Sequence, residues 1–165
     1  MTVRAVLDTQ IVVRGLLGIR RSACAQVFEA LAESAFAAVV SPHILAELRT
    51  ALNLPRLRGR YGLTDDQVAE LIDAYGRQAE TVAGALVLPR SFRANESVAV
   101  APAVPVEDIP IVSAALEGGA HHLVTDDSDL LEVKTILVSG YRPVQVTAPG
   151  PFLYHVLGWP RGEVG

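Results

Sequence analysis

A single cysteine, Cys24, stands among 165 residues, so an internal disulfide is excluded. No apolar run approaches the ~18–20 residues needed to span a bilayer. The first twenty residues carry Arg4, Asp8 and Arg14 inside their apolar region and show no cleavage site, so no signal peptide is expected. These absences point to a cytoplasmic protein away from membranes. Excess positive charge is also missing. The net charge of −4 argues against binding duplex nucleic acid by overall charge. It leaves a nucleic-acid substrate open, because bound cations offset a carboxylate cluster and local arginines still engage phosphates. No Cys/His pattern has zinc spacing. His121 and His122 are adjacent on an expected strand, so they face opposite ways and cannot share an ion. There is no repeat and no low-complexity tract.

What is present is apolar. Half of the chain is hydrophobic and mean hydropathy is +0.33, which excludes a disordered chain. The length suits one domain around one core, taken as residues 1–158, with 159–165 as a frayed tail. Val3–Leu7 is a short apolar run of the kind that forms a strand buried on both faces. Ile11–Leu17 and Ala23–Ala32 read as helices, and Phe36–Val40 as a second strand. Ser41 then caps a helix that has Pro42 at its first position and Ile44, Leu45, Leu48 and Leu52 as its apolar stripe. Asn53–Gly62 is a loop or a short frayed helix. Thr64 to Gln67 forms a capping box that opens a helix to about Glu80. Ala85–Leu88 is the third strand, and Val98–Val100 a short edge strand within the irregular stretch Pro89–Pro105. Asp108–Glu117 is a helix stopped by Gly118 and Gly119. His122–Thr125 and Pro143–Thr147 are strands. Asp127–Leu131 is at most a helical turn, and Phe152–Leu157 a terminal helix. Strands alternating with helices give an α/β fold, a three-layer α/β/α sandwich around a mainly parallel sheet. Its site should lie beyond the carboxyl ends of the strands.

Four acids sit at the seams of this pattern: Asp8, Glu47, Asp108 and Asp127. Each has an ordinary use. Asp8 is placed to cap the helix that follows it. Glu47 borders the apolar face of its helix, where a stem packs and a head reaches water. Asp108 is a first-turn acid that favours the helix dipole, yet at offsets three, four and seven from Ile111, Val112 and Ala115 it shares their inward stripe. Asp126, Asp127 and Asp129 form a tight acidic turn, and the backbone decides which of them faces inward. Together the four fall at strand ends and inward helix positions that converge. Converging carboxylates need a cation, and Mg²⁺ or Mn²⁺ is the natural choice for an all-oxygen set. Such ions serve in-line phosphoryl displacement.

The residues around these acids resemble those of PIN domains. Val6-Leu7-Asp8-Thr9-Gln10-Ile11-Val12-Val13 resembles their opening. Ser41-Pro42-His43-Ile44-Leu45-Ala46-Glu47-Leu48 resembles their second acidic motif. Glu107-Asp108-Ile109-Pro110-Ile111-Val112-Ser113-Ala114-Ala115 resembles the third. Leu123-Val124-Thr125-Asp126-Asp127-Ser128-Asp129-Leu130-Leu131 resembles the fourth. Val144–Leu153 is similar to the final strand and the helix start after it. The likeness runs over about residues 3–157 in the family's order.

The resemblance implies a PIN-like sandwich and a Mg²⁺- or Mn²⁺-dependent endoribonuclease. It makes Asp8, Asp108 and Asp127 metal ligands and adds Glu47, directly or through water, as the fourth catalytic acid. Thr9 becomes a supporting hydroxyl near Asp8, and Asp129 an auxiliary acid. It also implies the toxin of a toxin–antitoxin pair, VapC-like, with a cognate antitoxin and a homodimer or higher even oligomer. Two positions depart from the pattern. Gln10 stands where the family has Asn, and Asp126 where it has a small residue. Neither removes a core acid, so a competent enzyme is expected.

The expected reaction is hydrolysis of single-stranded or loop RNA, whose unpaired bases can be splayed and read. Arg14, Arg20 or the Arg56–Arg60 group is the candidate holder of flanking phosphates. The alternative is a PIN-like module that binds RNA or protein without cutting, for which Gln10 is the best support. A phosphoaspartate enzyme built on Asp8 is disfavoured, because Gln10 stands where a second Asp is required. Receiver domains also place acids at strand ends, but no later lysine here matches theirs. Apolar residues on Ala23–Ala32 and Val68–Tyr75 exceed what one face needs. They suit either a partner groove or a larger internal core.

Overall fold

Four-residue apolar segments build the centre of the sheet. In the computed structural model, which describes residues 1–18, 22–95 and 102–161, strand β1 is Arg4–Leu7 and β2 is Ala37–Val40. Ala5, Val6, Leu7, Ala38, Val39 and Val40 are all fully buried. Continuous burial of this kind belongs to a parallel strand covered on both faces. Helices α1 (Thr9–Leu17) and α2 (Ala23–Ala32) connect them. Helix α3 (Pro42–Leu52) follows β2 directly, with the Ser41 hydroxyl accepting the Ile44 N–H at 3.2 Å. The arginine-rich segment after it forms α4 (Pro55–Tyr61), closed by Gly62. The expected capping box is present at α5 (Asp65–Gln78).

The third strand departs from expectation. Strand β3 is Glu80–Thr81, paired with Val39 and Val40, whereas Ala85–Leu88 forms no ladder. The Val82 N–H still donates to the Val40 carbonyl at 2.8 Å. Gly84, at φ +75°, then turns the chain out of the sheet. Leu86 and Leu88 pack against the core from outside the ladder. That packing explains their strand-like apolarity. The proposed edge strand Val98–Val100, together with Arg20 and Arg21, lies outside the described residues.

A 3₁₀ turn (Val106–Asp108) leads into α6 (Ile109–Glu117). At its end, a Cβ on Gly118 would lie 2.5 Å from Val39 Cγ1, so glycine is what lets α6 close against β2. Strand β4 (His122–Val124) follows, then α7 (Ser128–Val133), which is longer than the expected turn. Strands β5 (Thr135–Ile136) and β6 (Val144–Thr147) complete the sheet. The chain then turns through α8 (Pro149–Pro151) into a wide helical turn over Phe152–Val156. Trp159 packs against the core, and residues 162–165 lie outside the described set.

The six strands run in the order β3-β2-β1-β4-β6-β5. All pairs are parallel except β5 with β6. Helices cover the sheet to give the expected three-layer α/β/α sandwich. Helix α6 packs on β1, β2 and β4, while α1 contacts α2 and α3, and α3 contacts α5. Phe28 of α2 meets Tyr75 of α5 with ring centroids 5.7 Å apart. Val27, Leu31, Val68 and Ile72 are buried around them. Many of the apolar residues on these two helices are thus packed into the core, with Phe28 and Leu71 partly buried against it.

The strand order reverses between β1 and β4, where the chain leaves one half of the sheet for the other. Such a switch point opens a crevice at the carboxyl ends of the strands. Leu7 pairs with Val124 there, so Asp8 and Thr125 leave the sheet side by side.

Candidate active site

The crevice holds a cleft of about 600 Å³. Asp8, Glu47, Asp108 and Asp127 all line it, with Thr9, Gln10 and Glu107. Four separate elements deliver the four acids. Asp8 follows β1, Glu47 sits in α3, Asp108 precedes α6, and Asp127 precedes α7.

The caps separate their roles. Asp8 is the extended residue before α1, yet its carboxylate makes no capping bond. Asp108 stands before α6 and also caps nothing. Asp127 does cap: its Oδ1 accepts from the Asp129 N–H at 2.8 Å and the Leu130 N–H at 3.2 Å. The cap that the sequence offers to Asp8 is not made, and of the three acids Asp127 alone caps its helix.

Asp8 is fixed by its neighbours. Its N–H donates to the Val124 carbonyl at 2.9 Å, and its Oδ2 accepts from the Thr125 hydroxyl at 2.7 Å. The hydroxyl expected beside Asp8 was that of Thr9. Instead Thr9 Oγ1 donates to Glu47 Oε2 at 3.2 Å, because Thr9 has already entered α1 and faces α3. Glu47 also stands 3.8 Å from His43 Nε2, one helical turn before it. Its side chain is 45% exposed, which places it at the rim.

The acidic turn also sorts itself. Asp126 leaves the cleft and pairs with Arg14 at 2.9 Å. Asp129 lines a different cleft with Arg90, Arg93 and Glu132, so the expected auxiliary acid is outside the four-acid group. Strand β4 points Thr125 inward and fully buried. The Asp127 N–H donates to that Thr125 hydroxyl at 3.0 Å. Thr125 was not singled out by sequence. Its one signal there was a hydroxyl at the end of a buried strand next to an acid.

The electrostatics reflect the crowding. Burial pushes the Asp108 carboxyl up to about 7, and Asp8, Asp127, Glu107 and Glu47 add to the rise. Burial also raises Asp8, opposed by the Thr125 hydroxyl and the Thr9 N–H, while Asp127 and Asp126 push it further up. Among the described residues no three His, Cys, Asp or Glu side chains are gathered into a ready metal cage. The donor set is nonetheless all carboxylate oxygen around one cleft. Mg²⁺ is commonly held by one or two carboxylates and keeps several waters, so an open acidic cleft fits it better than a closed cage would. The rings of His121 and His122 are engaged elsewhere: His121 Nδ1 accepts from the Arg4 N–H at 3.0 Å, and His122 Nδ1 lies 2.8 Å from the Thr147 hydroxyl.

The profile described as PIN domain matches residues 4–129, well over half of the chain, from the start of β1 into α7. No curated protein matches the chain.

Proposed function

The chain belongs to the PIN-domain family, whose fold is of nuclease type, and from that premise we propose that it is a Mg²⁺- or Mn²⁺-dependent endoribonuclease acting on unpaired RNA. One observation carries the reading: four carboxylates from four distant segments line one cleft at the switch point of the sheet. Stability alone gives no reason to gather them, because like charges raise the cost of ionising one another.

Asp8, Asp108 and Asp127 would hold the ion, and Glu47 would complete the set from the rim. When bound, the ion supplies a Lewis acid that acidifies water and offsets charge developing on the phosphate. The protein's own groups prepare this. Thr125 holds Asp8 toward the cleft and fixes the backbone of Asp127. Asp127 spends one carboxylate oxygen on its cap and leaves the other available. Asp108 keeps its proton to near neutral pH and gives it up when positive charge enters. The Thr9 hydroxyl orients Glu47, which would accept a proton from attacking water.

The test is cleavage of a fluorescent single-stranded RNA, with a single-stranded DNA of the same sequence in parallel. Activity that needs Mg²⁺ or Mn²⁺, stops with EDTA, and is lost in Asp8→Asn and Asp108→Asn supports the reading. EDTA-resistant cleavage persisting in both variants would overturn it. Metal-independent RNA binding without cleavage would instead favour a binding module. We extend the proposal to a toxin restrained by an antitoxin. That role predicts growth arrest on induced expression that the Asp8→Asn change relieves.

A further inference from the structure

Helix α3 is a low ridge between two clefts. One side carries Glu47 and faces the acids. The other side faces α5 across a second cleft of about 740 Å³. Ala46 and Thr50 line both clefts. They are one helical turn apart, so they lie along one line of the helix surface. Both are small and exposed, and the Thr50 hydroxyl is folded back onto the Ala46 carbonyl at 3.1 Å. The crest of α3 therefore has a saddle of small side chains between the two clefts.

Beyond the saddle the chemistry changes sign. Arg49 of α3 and Arg77 of α5 line the second cleft over an apolar floor of Leu45 and Ile72. Asp73 is the one acid there, so cations outnumber carboxylates by two to one. Both arginines are exposed, and no ion pair among the described residues engages either of them. The other arginines near the site differ. Arg14 is paired with Asp126, and Arg58 with Asp65. Arg56 and Arg60 line neither cleft. Arg90 and Arg93 share their cleft with Asp129 and Glu132, which balances their charge.

We infer that a single RNA strand leaving the acid cleft crosses α3 over Ala46 and Thr50 and is held beyond it by Arg49 and Arg77. This rests on the ribonuclease reading and adds the path of the strand to it. Guanidinium groups bind phosphate oxygens through a planar fork. The partly exposed Leu45 offers an apolar surface to a sugar or a base. The acid cleft repels a bare phosphate chain, so net attraction has to come from cations near the site without an acidic partner. Arg49 and Arg77 meet both conditions. They take the place here of Arg14 and the Arg56–Arg60 group, while Arg20, the other phosphate holder expected from sequence, lies outside the described residues.

The experiment uses the full chain with Asp8→Asn, which leaves the RNA uncut, and measures binding of a labelled single-stranded RNA of about twelve nucleotides across a salt series. Adding Arg49→Ala and Arg77→Ala should weaken binding about tenfold near 0.1 M salt and reduce the slope of log affinity against log salt by about 1.4, since each phosphate contact on a single strand contributes about 0.7. The pair Arg49→Lys and Arg77→Lys should keep most of the slope. Removing equal charge with Arg56→Ala and Arg60→Ala should change the slope far less. An unchanged slope in the Arg49/Arg77 pair, or an equal loss from the Arg56/Arg60 pair, overturns the path. The ribonuclease reading is judged separately, by whether the parent chain cuts the same RNA with Mg²⁺.

Discussion

The Thr125 hydroxyl donates to Asp8 Oδ2 at 2.7 Å while accepting the Asp127 N–H at 3.0 Å. One buried oxygen thus ties the acid after β1 to the acid turn after β4, across the point where the strand order reverses. It can do so because Leu7 and Val124 are in register, which sets the next residue of each strand side by side.

Replacing Thr125 with Val keeps the shape and removes both bonds. The Asp127 N–H is only part-buried, so water takes up some of the lost bond and urea denaturation should show a loss of about 1 kcal/mol. The Asp8 carboxyl loses a donor that holds its pKa down. The acidic limb of the pH–rate profile for RNA cleavage should therefore move to higher pH. Thr125→Ser should restore the limb and most of the stability. A Val variant with the parent's profile would show that Thr125 acts on packing alone.

Much of the frame was legible because local chemistry agreed with the fold. Ser41 with Pro42, and Thr64 with Gln67, mark helix starts by side-chain caps that need no tertiary help. The runs before Asp8 and after Phe36 are buried on both faces and read as such. Failures came where tertiary contacts decide. Ala85–Leu88 is apolar because it packs on the core, while the true third strand, Glu80–Thr81, is two exposed polar residues held by pairing with β2 and by the ion pair of Glu80 with Arg4. Strand β5 is equally short and equally silent. The four acids could be picked out by position, but their division of labour could not. Which of Asp8, Asp108 and Asp127 caps a helix depends on side-chain direction, and so does the turn of the Thr9 hydroxyl toward Glu47. Arg77 is invisible as a neighbour of the site until α5 is packed against α3.

The acidic turn gives a prediction that separates folding from chemistry. Asp127→Ala removes the cap of α7 and should cost about 1 kcal/mol. Asp127→Asn keeps an acceptor for the Asp129 and Leu130 N–H groups and should stay within a few tenths of the parent. Both should lose Mg²⁺-dependent cleavage to a similar extent, at least tenfold, because both lose a negative charge in the cleft. If the Asn variant cuts like the parent, Asp127 is only a cap.

Asp126 supplies the contrast. Its carboxylate is turned to Arg14, and both side chains are roughly half exposed. An exposed pair of this kind contributes about 0–1 kcal/mol. Asp126→Asn should therefore change urea stability by less than about 1 kcal/mol and cleavage by no more than a few-fold. A loss of activity as deep as that of Asp108→Asn would move the ligand role of the acidic turn from Asp127 to Asp126.

Asp108 links the site to pH. Its carboxyl is pushed up from 3.8 to about 7 in the folded protein, first by burial and then by Asp8, Asp127, Glu107 and Glu47. Between these values the folded chain keeps a proton that the unfolded chain has released. Stability from this group is therefore present below about pH 4 and is lost as pH rises through about 7. Asp108→Asn cannot ionise and escapes the loss. The group is partly exposed, so solvent screening limits the effect to about 1 kcal/mol. That corresponds to a Tm about 2–4 °C above the parent near pH 8, with no difference near pH 4. A cation entering the cleft relieves the same repulsion. Mg²⁺ should raise the parent's Tm near pH 8, far less near pH 5, and little in Asp108→Asn at either pH. Thermal melts of both chains across this range, with Mg²⁺ and with EDTA, measure all of these at once. A parent whose Tm ignores Mg²⁺ near pH 8 would mean that the carboxylates do not act together on a cation.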